Sequence, residues 1–176
     1  MFYKKIYKYL FFILLFFYPN LSIANQSILY LDMNYLLNNS LAGKSIITQL
    51  KNMNETNRKK FKKIEEGLKS EEAKLISQQK ILDKDEYLKQ LNNFRKKVSN
   101  YKIERSNNND NILKKKGSAQ QKLLNKLNPI LKDYSKKNSV LYIMPKKNII
   151  IGNTDLDITQ IILKSLDNNI KKIDIK

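Results

Sequence analysis

Asp155 and Asp157 are close in sequence, two residues apart, as a carboxylate pair for acid–base work could be. Paired carboxylates can pass a proton or hold a hard cation. Their spacing does not match a calcium-binding loop, and Asp157 with Gln160 reads as a capping box at a helix start, which accounts for Asp157 without any chemistry. The chain has no histidine and no cysteine. That removes the commonest general base, the commonest zinc ligand, thiolate metal sites and disulfides. Serines and lysines are plentiful, but none sits in a recognisable nucleophile turn. No catalytic residue, cofactor or metal ligand is expected, and the chain does not read as an enzyme.

What remains is charge. Thirty-four Lys and Arg stand against 16 Asp and Glu, a net charge of +18. Such a balance suits anionic partners. Asn, Ile and Lys are inflated together, as AT-rich coding would produce, so the sign of the charge says more than its size. A nucleic-acid partner is not expected, because no aromatic platform is interleaved with the basic residues. Anionic lipid headgroups and acidic protein segments are the remaining candidates.

The N-terminus narrows the compartment. Lys4, Lys5 and Lys8 precede the apolar run Leu10–Tyr18, and Ser22-Ile23-Ala24 supplies small residues at a cleavage site. These are the parts of a secretory signal peptide over residues 1–24, and the apolar run is too short to span a bilayer comfortably. The mature chain is expected to start near Asn25, outside the cytoplasm. Loss of the three lysines takes the charge from +18 to +15.

The elements that must position any site follow from periodicity. Ser27–Met33 reads as a first strand, apolar on both faces through Ile28, Leu29, Tyr30 and Leu31. Asn34–Leu41 is a short helix, and Ala42-Gly43-Lys44 is expected to break it. From Ser45, Ile46, Leu50, Met53, Asn57, Phe61, Ile64, Leu68, Glu71 and Leu75 recur at mixed three- and four-residue spacing, the seam of a coiled coil. A reversal is expected at 80–85, with Asp83 and Glu86 as a capping box. A second arm continues the seam through Tyr87, Leu91, Phe94, Val98, Tyr101, Arg105, Asn108 and Ile112 down to Tyr134. Arg105–Asp110 is its most polar part, and Pro129 is expected to bend its base. Ser139–Met144 reads as a second strand and Asn148–Ile151 as a third. A closing helix presents Ile158, Ile161, Ile162, Leu163 and Leu166, and Asn168–Lys176 forms a weakly periodic tail expected to fray.

The fold class is therefore α+β: a small strand body and a long antiparallel helical hairpin. The chain divides into body residues 25–50, a hairpin at 51–122, body residues 123–167 and a tail at 168–176. Three short strands leave unpaired edges on an apolar ribbon, and closing copies of the sheet into a barrel would remove them. The candidate oligomer body is Ile28, Leu29, Tyr30, Leu31, Val140, Leu141, Tyr142, Ile143, Ile149, Ile150 and Ile151. Arms of about 35–50 residues reach roughly 50–75 Å at helical rise, so they must project.

Four segments in order resemble the Skp (also called OmpH) family of periplasmic chaperones. They are ILYLDMNYLLNNSLAGKSIITQL at Ile28–Leu50, ILDKDEYLKQLNNFRKKV at Ile81–Val98, LNPILKDYSKKNSVLYIM at Leu127–Met144 and DLDITQIILKSL at Asp155–Leu166. The resemblance implies a homotrimer whose strands form a central barrel. Three hairpins would extend as tentacles around a cavity that holds unfolded outer-membrane β-barrel proteins in the periplasm without ATP. It also implies contact with lipopolysaccharide, assignable to no particular lysine here. On that reading Tyr87, Phe94 and Tyr101, seven residues apart, have two uses: packing on Phe61, Ile64 and Leu68, the weightier one, or facing a client. The candidate client surface is Phe61, Lys62, Lys63, Tyr87, Phe94, Arg95, Lys96, Lys97 and Tyr101. The competing reading is a structural coiled-coil spacer or adaptor of the envelope. A prefoldin-like cytosolic chaperone shares the architecture but requires the leader to be something else.

Overall fold

The computed structural model describes residues 27–175; the signal-peptide expectation lies outside the described residues. Strand β1 (Ser27–Leu31) leads into helix α1 (Met33–Asn39), then α2 (Leu41–Gln78) and α3 (Lys84–Lys137), strand β2 (Val140–Pro145) and helix α4 (Thr159–Asn169). β1 and β2 pair in parallel as a two-stranded sheet. Parallel neighbours need a long crossover, and here the whole helical hairpin is that crossover. Among the described residues, no helix is long and apolar enough to cross a membrane.

The hairpin follows the seam. On α2 every expected seam position from Ile46 to Leu75 is buried or half-buried, with Ile46, Phe61 and Leu75 buried. On α3 the seam holds through Tyr134 except at Arg105 and Lys116, which are exposed. At 38 and 54 residues the helices reach about 57 and 81 Å. α3 runs unbroken through both Arg105–Asp110 and Pro129. The reversal falls at 79–83, overlapping the expected 80–85 but starting one residue before it and ending two residues sooner. Asp83 caps α3 by accepting from the Asp85 amide at 3.1 Å, whereas Glu86 accepts from Gln90, so the reciprocal box does not form.

At the base, the expected break at Ala42-Gly43-Lys44 lies two residues earlier, at Ser40. Its hydroxyl is fully buried and accepts from the Gly43 amide at 3.0 Å, capping α2. The adjacent Leu41 amide donates to Asp167 Oδ1 of α4 at 2.7 Å, so a carboxylate from the closing helix satisfies a second orphan donor of α2. Gly43 belongs to the helix because nothing larger fits: a Cβ there would stand 2.0 Å from the Leu37 carbonyl oxygen. Asp32 caps α1 through the Tyr35 amide, 2.9 Å. One core unites both ends of the chain: Leu29, Leu31, Leu36, Ile46, Leu123, Leu127, Ile162 and Leu166 meet beneath the sheet.

Three further expectations are corrected. Asn148–Ile151 is not a third strand. Lys146–Asn148 forms a 3₁₀ turn, and Ile150 and Ile151 stand 99% and 91% exposed. The free edge of β1, where a third strand would add, is already used: the Ile158 amide donates to the Tyr30 carbonyl at 2.9 Å, and Asp157 bridges to Tyr30. The tail, expected to fray, is instead packed, with Ile173 in the core and Ile170 and Ile175 against it. The expected capping box of Asp157 with Gln160 does not form either: the N-cap of α4 is Ile158, without a side-chain cap bond, and Asp157 Oδ1, one residue earlier, accepts from the Thr159 amide at 2.9 Å.

Candidate functional site

The sheet has one covered and one open face. Leu29 and Leu31 point into the core with Ile143. On the other face Ile28 pairs with Tyr142 and Tyr30 with Met144. Register shifts after Ser27, which makes Leu141 an extra residue in β2. Ile28, Leu141 and Tyr142 are 50%, 49% and 62% exposed. Among the described residues, no strand pairs with the far edge of β2. Of the eleven candidate body residues, Leu29, Tyr30, Leu31 and Val140 are buried within the chain and Ile143 and Ile149 half-buried. Ile28, Leu141, Tyr142, Ile150 and Ile151 are its exposed apolar residues.

Tyr30 explains how the segment after β2 is held. Its hydroxyl donates to the Asn153 carbonyl at 3.1 Å, and Gly152 passes so close that a Cβ would lie 3.1 Å from the ring. Lys146 Nζ lies 5.9 Å from the centre of the same ring and donates to Asp157 Oδ2 at 2.8 Å. Burial pushes the Asp157 carboxyl upward, but the bonds from Lys146 and from the Thr159 side chain and amide outweigh it and hold it below its usual value. The same hydrogen bond and the charge of Asp157 raise Lys146. Asp157 is thus engaged in tying down this segment, while Asp155 lies exposed on a 3₁₀ turn at Thr154–Leu156. The pair that opened the search for chemistry is a clasp.

The arms carry the charge. Residues 41–137 hold 25 Lys and Arg against 11 Asp and Glu, a net +14; residues 25–40 and 138–176 hold six against five, a net +1. Three ion pairs cross the hairpin: Lys97 to Glu71 at 2.7 Å, Arg105 to Glu65 at 2.8 Å, and Lys60 to Glu104. Tyr101 donates to Glu65, and Arg105 bonds both. The Tyr101 hydrogen bond, seconded by Arg105 and Lys69 against some desolvation, lowers the Glu65 carboxyl; burial and the bond to Glu65 raise the Tyr101 phenol.

The candidate client residues divide accordingly. Phe61 and Tyr101 pack on each other in the seam, and Tyr87 and Phe94 are half-buried along it. Lys62, Lys63, Arg95 and Lys96 are exposed, and Lys97 is committed to Glu71. Sequence reasoning missed the Tyr30–Lys146–Asp157 clasp and the Ser40 cap. The second had a signal in Ser40 three residues before Gly43; the first had none, since its members are far apart in sequence.

Comparison with known proteins agrees with this architecture. Residues 27–166 match the family model described as outer membrane protein (OmpH-like). No curated protein matches. The fold is similar to the crystal structure of a proposed outer membrane chaperone (OmpH-like) from Caulobacter crescentus CB15, with a TM-score of 0.79 at 16% identity, covering 90% of this chain and 94% of that one. With most of its length matched by the family model, and with a strand body and long hairpin in the expected order, the chain belongs to the OmpH-like outer membrane protein family.

Proposed function

We propose that this chain is an ATP-independent holdase of the periplasm, which keeps unfolded outer-membrane β-barrel proteins from aggregating before insertion. The observation that carries the reading is the segregation of surfaces: a nearly neutral body with an uncovered apolar face, and a hairpin bearing almost all of the charge. An apolar face beside an unpaired strand edge favours self-association, which removes both liabilities. Three copies meeting there would close the strands into a barrel and set three arms around a common space. The arms' field attracts acidic unfolded chains at long range, and many weak contacts let them leave again. Family membership supports the chaperone class, and the leader-like pattern of residues 1–24 supports the compartment. Anionic lipid or lipopolysaccharide would be drawn by the same field.

The test is light scattering from a diluted, unfolded outer-membrane protein with and without the mature chain, over a salt series. Suppressed scattering at low salt that fades as the Debye length falls from about 10 Å toward 3 Å is expected. Unsuppressed aggregation at every salt concentration overturns the holdase. Selective binding of folded partners instead would favour a spacer or adaptor.

A further inference from the structure

Beyond α4 the chain turns extended at Ile170 (φ −143°, ψ 109°) and runs to the base of the hairpin. There Gln49 of α2 holds it by the backbone alone. Its Nε2 donates to the Ile173 carbonyl at 2.7 Å, and its Oε1 accepts from the Ile175 amide at 3.1 Å. In a parallel ladder, one residue bonds the carbonyl before and the amide after its opposite number. The primary amide of Gln49 does the same around Asp174, standing in for a residue of a neighbouring strand. A bond from Nε2 to Ser45 Oγ, 3.0 Å, fixes its orientation. Beside it, Ile173 is buried in the core cluster, and Ile175, two residues on and so on the same face, packs against that cluster.

This is recognition of an extended peptide: main-chain bonds supply affinity, and seats for alternate side chains supply selectivity. We infer that the Gln49 seat is a binding site for an extended segment with apolar residues two apart, filled in cis by the chain's own tail and opened to an unfolded client strand. The tail is poorly matched in charge. Lys171 and Lys172 are exposed against a hairpin of net +14, and only Asp174, paired with Lys172 at 2.7 Å, offsets them. A neutral or acidic strand suits the seat better than the tail does. The source of the strand rests on the holdase reading; the seat does not.

The test uses the full mature chain and a short synthetic peptide in which isoleucine alternates with aspartate, read by peptide fluorescence anisotropy and by hydrogen exchange at Ile175. Saturating peptide is expected to speed exchange of the Ile175 amide about tenfold or more, as a locally opened segment would. K171E/K172E, which improves the tail as a cis ligand at two exposed positions, is expected to weaken peptide binding several-fold. Gln49→Ala is expected to speed Ile175 exchange without peptide and to weaken peptide binding. Absence of binding at millimolar peptide, binding that leaves Ile175 protected, or an affinity unchanged in K171E/K172E overturns the proposal. Suppression of client aggregation with Ile175 still protected would overturn the seat and leave the holdase standing.

Discussion

Phe61 of α2 and Tyr101 of α3 meet edge to face across the hairpin, ring centres 5.9 Å apart and planes at 71°. Phe61 is buried, and the Tyr101 hydroxyl continues into Glu65 and Arg105, so an apolar contact and a polar network lock one level of a projecting arm. Edge-to-face pairs are worth about 0.5–1.5 kcal/mol beyond burial. A double-mutant cycle with Phe61→Leu and Tyr101→Leu, followed by chemical denaturation, is expected to return a coupling in that range. Phe61→Ala is expected to cost about 3 kcal/mol and to raise amide exchange along both arms while sparing α4.

The two kinds of helical glycine should respond in opposite directions. At Gly43 a methyl group would meet the Leu37 carbonyl at 2.0 Å, in backbone that cannot move without opening the elbow between α1 and α2. Gly43→Ala is expected to destabilise by at least about 1–3 kcal/mol. Gly67 and Gly117 have nothing within 4 Å of a built Cβ. Alanine at either is expected to stabilise by roughly 0.5–1 kcal/mol. Urea denaturation of the three variants checks both signs.

The clasp after β2 should be acid-sensitive. Asp157 is held below the usual aspartate value of 3.8. A carboxyl depressed in the folded state contributes stability that is present above its unfolded pKa and lost as pH falls through the folded one. Exchange of the 146–157 segment is therefore expected to rise at pH below about 4 and to be flat across neutrality. Lys146 has the opposite sign, its contribution fading only as pH rises through a value above 10.5. Asp157→Asn is expected to remove the acid transition. The pair itself contributes little to global stability, since Lys146 is half-exposed and screened by solvent.

The uncovered apolar face makes its own prediction. Ile150→Ser and Ile151→Ser change side chains that touch little within the chain, so the helical content of each variant is expected to match the parent. If the face is an interface between copies, each substitution is expected to weaken association about tenfold or more, from roughly 1.5 kcal/mol of lost burial. Sedimentation over a dilution series reads this directly.

How much was legible depended on how local the signal was. The seam from Ile46 to Leu75 and from Tyr87 to Tyr134 is a repeated spacing, and buried side chains followed it wherever apolar residues filled it. The turn at 79–83 was announced by Asp83. The run Asn148–Ile151 has strand composition, yet whether it pairs depends on whether an edge is free. Ile158 and Asp157 had taken the edge of β1. The tail failed differently: Ile173 enters the core, and the side chain that bonds its backbone, Gln49, is more than a hundred residues away, on a helix face that periodicity marks as ordinary. The candidate aromatic contacts were readable as seam positions, whereas the division of the body into buried and open faces required the register of β1 on β2.

The holdase account is tested most directly by native mass determination of the mature chain, alone and after mixing with an unfolded outer-membrane protein in the absence of ATP. It predicts a trimer alone and a discrete trimer-plus-client complex after mixing, with no larger aggregate. A folded monomer that takes up no client at micromolar concentration would contradict it.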